Sequence, residues 1–305
     1  MEVWVRQVSQ RFRTHRVLAD VTLAFGPGLH VVLGANGAGK STLLKIMATV
    51  LTPTQGRVGF DRWEFPRDVA HLRANVGYVP QGAHLDHHLT ARDWVAAAAV
   101  QRGLGSWRAA ASVAEDLLET LGVAAQDPVS LTRAPGRVQQ WALVAQSLLG
   151  APPVWILDEP TERLPPRDQE RLGTLLLERS QSATVIVAMH VGPAVMGRAG
   201  RVVVIADGAV LADGSPEAVA AAGAGQVRLT HWPVDLWDRA GESWLAALPL
   251  AGAAATAIYP AEDRVAVRVV GPVPVPPDVT EELAVPTVED GHQALVLARR
   301  RVVSR

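Results

Sequence analysis

Gly34-Ala35-Asn36-Gly37-Ala38-Gly39-Lys40-Ser41-Thr42 fits the pattern G-x-x-x-x-G-K-[ST], with a second hydroxyl residue behind it. An apolar run, Leu29 to Leu33, leads in, and a helical stretch, Ser41 to Val50, leads out. A strand, a glycine-rich loop and a helix in that order make a cradle for phosphate. Backbone N–H groups turn inward, and the helix N-terminus adds its dipole and unpaired amides. The pattern predicts that Lys40 reaches the β- and γ-phosphates of a nucleotide, that Ser41 ligates Mg²⁺, and that Thr42 donates to the α-phosphate. The other basic residues are almost all Arg, and Lys40 and Lys45 are the only lysines in the chain. A slim point charge therefore stands where it must fit beside phosphate.

The remaining composition narrows the class. A chain of 305 residues accommodates one large domain or two modest ones, with ample apolar content for a core. The formal net charge of −1 argues against nucleic acid as the main partner, because backbone phosphates demand a marked Lys/Arg excess. There is no Cys, so disulfides, zinc ribbons and thiol chemistry are excluded. Met1-Glu2-Val3-Trp4 enters a strand-like pattern at once, without a secretory signal. The most apolar long stretch, Trp244 to Tyr259, is broken by Pro249 and Gly252 and is too short to span a bilayer.

Along the chain, two antiparallel strands are predicted first, Val3 to Val8 and Val17 to Phe25. After the glycine loop come short strands at Arg57–Phe60 and Val76–Val79. From Leu89 to Leu149 the pattern is helical and Ala-rich, with Thr90-x-x-Asp93 as a capping box. Val154–Leu157 and Thr184–Met189 read as buried strands, and Asp207-Gly208 as a hairpin turn. Strands alternating with helices imply an α/β fold with a mostly parallel sheet, whose chemistry collects at the strands' carboxyl ends. Gly34, Gln81, Asp158-Glu159 and His190 all fall at such ends. Ser215-Pro216-Glu217 reads as the N-cap, N1 and first-turn acid of a short helix, Ala218 to Gly225 as a linker to a small α+β appendage over 226–305, and Arg299-Arg300-Arg301 as a frayed tail.

Val154-Trp155-Ile156-Leu157-Asp158-Glu159 is a hydrophobic strand ending in two acids. Phosphoryl transfer asks for one carboxylate to hold Mg²⁺ and another to polarise the attacking water, roles predicted for Asp158 and Glu159. His84, His87 and His88 cluster in sequence, but no carboxylate pattern accompanies them, and they read as solvated loop residues.

With these residues in order, the chain resembles the ATP-binding subunits of ABC transporters over roughly Glu2 to Ala220. Gly34 to Thr42 matches the Walker A motif, Val154 to Thr161 the Walker B, Tyr78-Val79-Pro80-Gln81 the Q-loop and Ala188-Met189-His190 the switch histidine. Val285 to Asp290 looks like the tail of the ABC-2 exporter branch, with less specificity. The resemblance implies a P-loop NTPase domain over 1–222, with an antiparallel N-terminal β subdomain and a helical insertion at about 85–150. It implies ATP and Mg²⁺ as cofactors, Gly34, Asn36, Gly37, Ala38, Gly39, Lys40, Ser41 and Thr42 as nucleotide contacts, and Phe12 as the aromatic that stacks on adenine. Gln81 would sense the γ-phosphate through Mg²⁺ and water and join Ser41 and Asp158 around the metal, and His190 would orient the attacking water with Glu159.

Two regions depart from that family. Its LSGGQ signature falls at Ala134-Pro135-Gly136-Arg137-Val138, where Pro135 lacks both hydroxyl and N–H and Arg137 replaces a glycine. An alternative register aligns Leu131-Thr132 with Leu-Ser, and the glycine pair is missing there too. The D-loop reads Glu162-Arg163-Leu164-Pro165, with Pro165 in place of Asp. Arg137 could reach the γ-phosphate across a dimer interface and compensate. The resemblance implies an ATPase subunit that powers an exporter-type membrane complex from the cytoplasmic face of the cell membrane. It would be paired with a transmembrane permease and a second ATP-binding subunit, identical or different. A slow ATP-gated regulatory switch is the alternative that the altered signature favours.

Overall fold

Alternating apolar residues at the amino end build a hairpin: β1 (Val3–Phe12) runs antiparallel to β2 (His15–Phe25). The computed structural model describes the chain apart from residues 84, 86, 87, 191, 192, 262, 274, 304 and 305. Then follow β3 (Gly28–Leu33), α1 (Lys40–Met47), β4 (Gln55–Phe60), β5 (Trp63–Phe65), α2 (Val69–Ala74) and β6 (Val76–Val79). Three helices come next, α3 (Ala91–Gln101), α4 (Trp107–Thr120) and α5 (Gly136–Leu148). They precede β7 (Val154–Asp158), α6 (Pro166–Ser180), β8 (Thr184–Met189) and α7 (Pro193–Met196). The chain divides into two compact units, one of Met1–Gly200 with Ile205–Val210, the other of Arg201–Val204 with Leu211–Arg305.

In the first unit, β2, β1, β4 and β5 form an antiparallel sheet in that order. β6, β7, β8 and β3 lie side by side in a parallel sheet. Every residue of β7 and β8 is buried, which is why both read as unbroken apolar runs rather than as alternating ones. The helical insertion is stitched to this sheet by Arg102, just past the end of α3. Its guanidinium donates to the Leu149 carbonyl at 3.0 Å and to the Val76 carbonyl at 2.9 Å. The predicted capping box is present, with the Asp93 N–H donating to Thr90 Oγ1 at 3.2 Å. β5 and α2 are additions that the sequence did not announce, because three strand residues and six helical ones carry too few periods to register.

β9 (Arg201–Ala206) and β10 (Ala209–Gly214) are split between the units. The second unit then holds α8 (Pro216–Ala221), β11 (Val227–Pro233), α9 (Val234–Ala247), β12 (Ala254–Pro260), β13 (Arg264–Val270), β14 (Thr280–Leu283) and α10 (Val288–Val303). Its antiparallel sheet has the order β12-β13-β11-β14, and Trp232, Val265, Val267 and Val269 pack with α9 residues Leu236, Trp237 and Trp244.

Two expectations are corrected in this unit. Ala218–Gly225 begins inside a helix rather than forming a linker: Ser215 caps α8 by accepting from the Ala218 N–H, and a Cβ at Gly291 of α10 would collide with the Val219 carbonyl. The Arg299–Arg301 cluster lies on α10 instead of on a frayed tail. The helix start explains this. Thr287 and Asp290 form a reciprocal cap: the Asp290 N–H donates to Thr287 Oγ1 at 3.3 Å, and the Thr287 N–H donates to Asp290 Oδ2 at 2.7 Å. Asp290 is fully buried and also accepts from Arg268 Nε and Thr256 Oγ1, each at 2.7 Å. Burial pushes this carboxyl up, but hydrogen bonds from Thr256, Thr287 and Arg268 outweigh it and hold the pKa below the usual range.

Candidate functional site

The glycine loop leaves β3 and closes on the first turn of α1. Gly34 is required by a close approach, since a Cβ there would collide with the Ile205 carbonyl. Gly37 and Gly39 have φ of 79° and 106°, in the left-handed region that suits glycine. The Ala38 amide donates to the Ala35 carbonyl at 3.1 Å, and the Gly208 amide donates to the Ala38 carbonyl at 3.0 Å. Gly34 and Ala38 therefore shape the loop. Ala35, Asn36, Gly37, Gly39, Lys40, Ser41 and Thr42 line a cleft of about 230 Å³ together with His15, Val17 and Gln81.

Lys40 is buried, and its Nζ donates to the Gly34 carbonyl at 2.7 Å and the Ala35 carbonyl at 3.3 Å. It also lies 3.3 Å from Glu159 Oε1. A buried ammonium needs such partners, and the ion pair joins the start of α1 to the residue just past the end of β7. Glu159 itself has φ of 47°, a left-handed conformation uncommon for a residue with a Cβ, and its amide donates to the Ala188 carbonyl at 2.9 Å. That bend turns the side chain away from the strand direction of Asp158 and toward the glycine loop.

His190, at the end of β8, reaches the same point. Its backbone N–H donates to Glu159 Oε2 at 3.1 Å, and its Nε2 lies 3.4 Å from Glu159 Oε1 and 2.6 Å from Asn36 Oδ1. A carboxylate oxygen and the Asn36 side-chain oxygen both face Nε2. The triad Asn36, Glu159 and His190 thus converges beside Lys40.

Asp158 is almost wholly buried, and neither carboxylate oxygen has a hydrogen-bond partner. Burial pushes its pKa up. The nearby Ser41 hydroxyl pulls it back, Glu159 adds repulsion, and Lys40 and Lys45 relieve part of it. Ser41 Oγ lies 3.4 Å from Gln81 Oε1. A hydroxyl, an amide oxygen and an orphaned carboxylate are hard oxygen donors, and they fit a small divalent cation shared with phosphate. Among the described residues no group of three or more His, Cys, Asp or Glu could hold a metal by itself. His84 and His87 lie outside the described residues, and His88 is exposed.

Three features add to the sequence reading. Phe12 ends β1 with its ring 47% exposed, and the cleft wall on that hairpin comes from His15 and Val17. Those two went unnoticed because the signal lies in strand register, Phe12 opposite His15, rather than in a motif. Second, Arg137 does not project past the start of α5. Its guanidinium forms a two-pronged bridge to Asp168 of α6, with Nη2 to Asp168 Oδ1 at 3.2 Å and to the Gly122 carbonyl at 3.1 Å. Asp168 is a covered carboxylate in the first turn of α6, and within this chain it engages the Arg137 guanidinium. Third, Arg163 of the altered D-loop donates to the Ala83 carbonyl at 3.1 Å, tying that loop to the segment after Gln81.

The ABC transporter family matches residues 18–162. The chain is 38% identical over 213 residues to the macrolide export ATP-binding/permease protein MacB 1/2 of Paracoccus denitrificans, covering 67% of this chain and 32% of that longer protein. It is 32% identical over 215 residues to the glutamate transport ATP-binding protein GluA of Corynebacterium efficiens, covering 69% of this chain and 89% of that one. The dimeric bacterial ABC transporter cassette MJ0796 superposes with a TM-score of 0.64 at 22% identity, covering 70% of this chain and 98% of that one, a likeness of fold.

Proposed function

Because this chain belongs to the ABC transporter family of ATP-binding ATPase subunits, we propose that it is the ATP-hydrolysing subunit of an exporter-type membrane complex. The observation that carries the reading is convergence: Lys40, Glu159, Asn36 and His190 meet within hydrogen-bond or ion-pair distance, with Ser41, Gln81 and the orphaned Asp158 beside them. In this reading the loop amides and Lys40 bind the triphosphate. A divalent ion at Asp158, Ser41 and Gln81 neutralises phosphate charge when bound. Glu159 accepts the proton of the attacking water, and His190 holds both water and carboxylate in place. Among the described residues no helix is long and apolar enough to cross a membrane, so a separate permease would carry the path, with this subunit on its cytoplasmic face.

Titration calorimetry with Mg·ATP tests the site directly. Wild type should bind, and Lys40→Ala should lose most of the affinity. Equal affinity in the variant would remove the reading.

We further propose a heterodimeric partner, an ATP-binding subunit whose signature is intact. The supporting observation is that Pro135 occupies the α5 N-cap without a side-chain bond while Arg137 is engaged within its own chain. The same observation favours the second reading, a slow ATP-gated switch. Pro135→Ser with Arg137→Gly separates them. Faster hydrolysis by the isolated chain supports an enzyme limited by its signature, and an unchanged negligible rate supports the switch.

A further inference from the structure

Arg163 follows shortly after Glu159 in the altered D-loop, and its side chain joins two segments distant from it in sequence. Its backbone is tied to the cleft. The Glu162 amide donates to the Glu159 carbonyl at 3.3 Å, and the Leu164 amide donates to the Thr161 carbonyl at 3.0 Å. These turns hang Arg163 from the residue that faces Lys40 and His190. Leu164 is buried, and its carbonyl accepts from Gln169 Nε2 of α6 at 2.9 Å, so the backbone is held on the far side too.

One guanidinium nitrogen, Nη1, donates to the Ala83 carbonyl at 3.1 Å and lies 3.4 Å from Gln139 Oε1. Ala83 belongs to the stretch that leaves β6 through Gln81, whose amide oxygen faces Ser41 Oγ at 3.4 Å. Gln139 stands near the start of α5, and its own Nε2 donates to the Leu131 and Ala134 carbonyls, each at 3.0 Å. The Arg163 stem lies against the first residue of that helix, where a Cβ added to Gly136 would stand 3.6 Å from Arg163 Cδ. A continuous run of polar contacts thus leads from the Glu159 turn and the exit of Gln81, through Arg163 and Gln139, to the loop that carries the altered signature.

The helix gains nothing from this neighbour. A cation at a helix N-terminus opposes the macrodipole, and α5 has no acidic residue in its first turn to offset it. The carbonyl and amide partners account for the arginine instead. We infer that Arg163 is a positioning residue that couples occupancy of the nucleotide cleft to the order of the loop at 131–134 within its own chain. The inference rests on the nucleotide reading above, and it belongs to this chain's departures, since both ends of the contact lie in altered segments. A nucleotide that fixes Gln81 and Glu159 fixes the acceptor of Arg163 and the backbone that carries it. Arg163 then holds Gln139 in the rotamer that clamps Leu131 and Ala134. Coupling carried by so few hydrogen bonds falls at the low end of the usual range, about fivefold.

The test is amide exchange of the full chain, with and without Mg·ATP, in wild type, Arg163→Ala, Arg163→Lys and Gln139→Ala. In wild type, nucleotide should slow exchange across the glycine loop and, by about fivefold, across the loop at 131–134. Arg163→Ala and Gln139→Ala should keep the first response and lose the second. Arg163→Lys should recover it in part, because one ammonium can serve both acceptors of Nη1. A purely structural role would raise exchange of the 131–134 loop equally in both states and leave the nucleotide response intact, and that result would overturn the inference. So would a wild-type response confined to the glycine loop. If the glycine loop of wild type did not respond either, the nucleotide reading would fall and this inference with it.

Discussion

Replacing Arg137 by Ala removes a two-pronged bridge and a third hydrogen bond, to the Gly122 carbonyl, in one step. The magnitude follows from where the pair lies. Breaking a fully buried ion pair costs about 3–5 kcal/mol, and an exposed pair is worth about 0.2–1 kcal/mol. Here the Asp168 side chain is 8% exposed and the Arg137 side chain 35% exposed, with Asp168 covered by neighbours yet close to the surface. Screening on the Arg side brings the expected loss to about 1.5–2 kcal/mol, or roughly 4–6 °C in Tm for a unit of this size. The pH dependence carries a sign. The Arg137 hydrogen bonds, against opposing desolvation, hold the Asp168 pKa below the usual carboxylate range. The bridge therefore stabilises fully above the unfolded carboxylate pKa of about 3.9 and is lost as pH falls through the lower folded value. Urea denaturation of wild type and Arg137→Ala should differ at pH 7, and the difference should shrink progressively as pH falls below about 3.9. A difference below about 0.5 kcal/mol at pH 7, or one that does not change with pH, would refute the claim that this bridge anchors the start of α5 to α6.

Three further outcomes are expected. Glu159→Gln should keep Mg·ATP affinity while lowering turnover by about 10²- to 10⁴-fold, read by phosphate release, and similar rates for both proteins would remove Glu159 as the base. Asp158→Asn should raise the ligand-free melting temperature by relieving an unpartnered buried carboxylate, by about 1–2 kcal/mol, while abolishing the Mg²⁺-dependent part of ATP binding; a variant that still couples Mg²⁺ to ATP would place the cation elsewhere. Asp290→Asn should destabilise the 211–305 unit by about 2–3 kcal/mol, seen as accelerated amide exchange along α10 and β13, because Arg268 loses its ionic partner; protection equal to wild type would contradict the cap as described.

The chemistry of this chain was legible wherever it is local in sequence. Gly34 to Thr42 and Val154 to Glu159 carry their own strand and helix context, and the strand ends they predict are the ones found. Gln81 and His190 were placed by the same logic, since each follows a buried parallel strand. What escaped depends on partners distant in sequence. The Arg137–Asp168 bridge joins residues 31 apart through the packing of α5 beside α6, and nothing in either segment names the other. His15 became visible only through hairpin register. Ser215-Pro216-Glu217 reads as N-cap, first helical position and first-turn acid, so the start of α8 was legible, but the Ala-rich run from 218 lacks the charged face that would show the helix continuing to Ala221. β12 was obscured because Trp244 to Tyr259 reads as one apolar stretch, although Pro249 and Gly252 divide it into the end of α9, a turn and a strand.

Arg102 gives the helical insertion a mechanical property. One planar, five-donor group grips the carbonyl that closes α5 and the carbonyl that opens β6, so the end of α3 cannot leave either without losing a bond, nor leave the pair without losing both. The end of α3 is therefore tied to the parallel sheet by side-chain bonds as well as by packing. The grip falls on the first residue of β6, the strand whose other end lies two residues before Gln81.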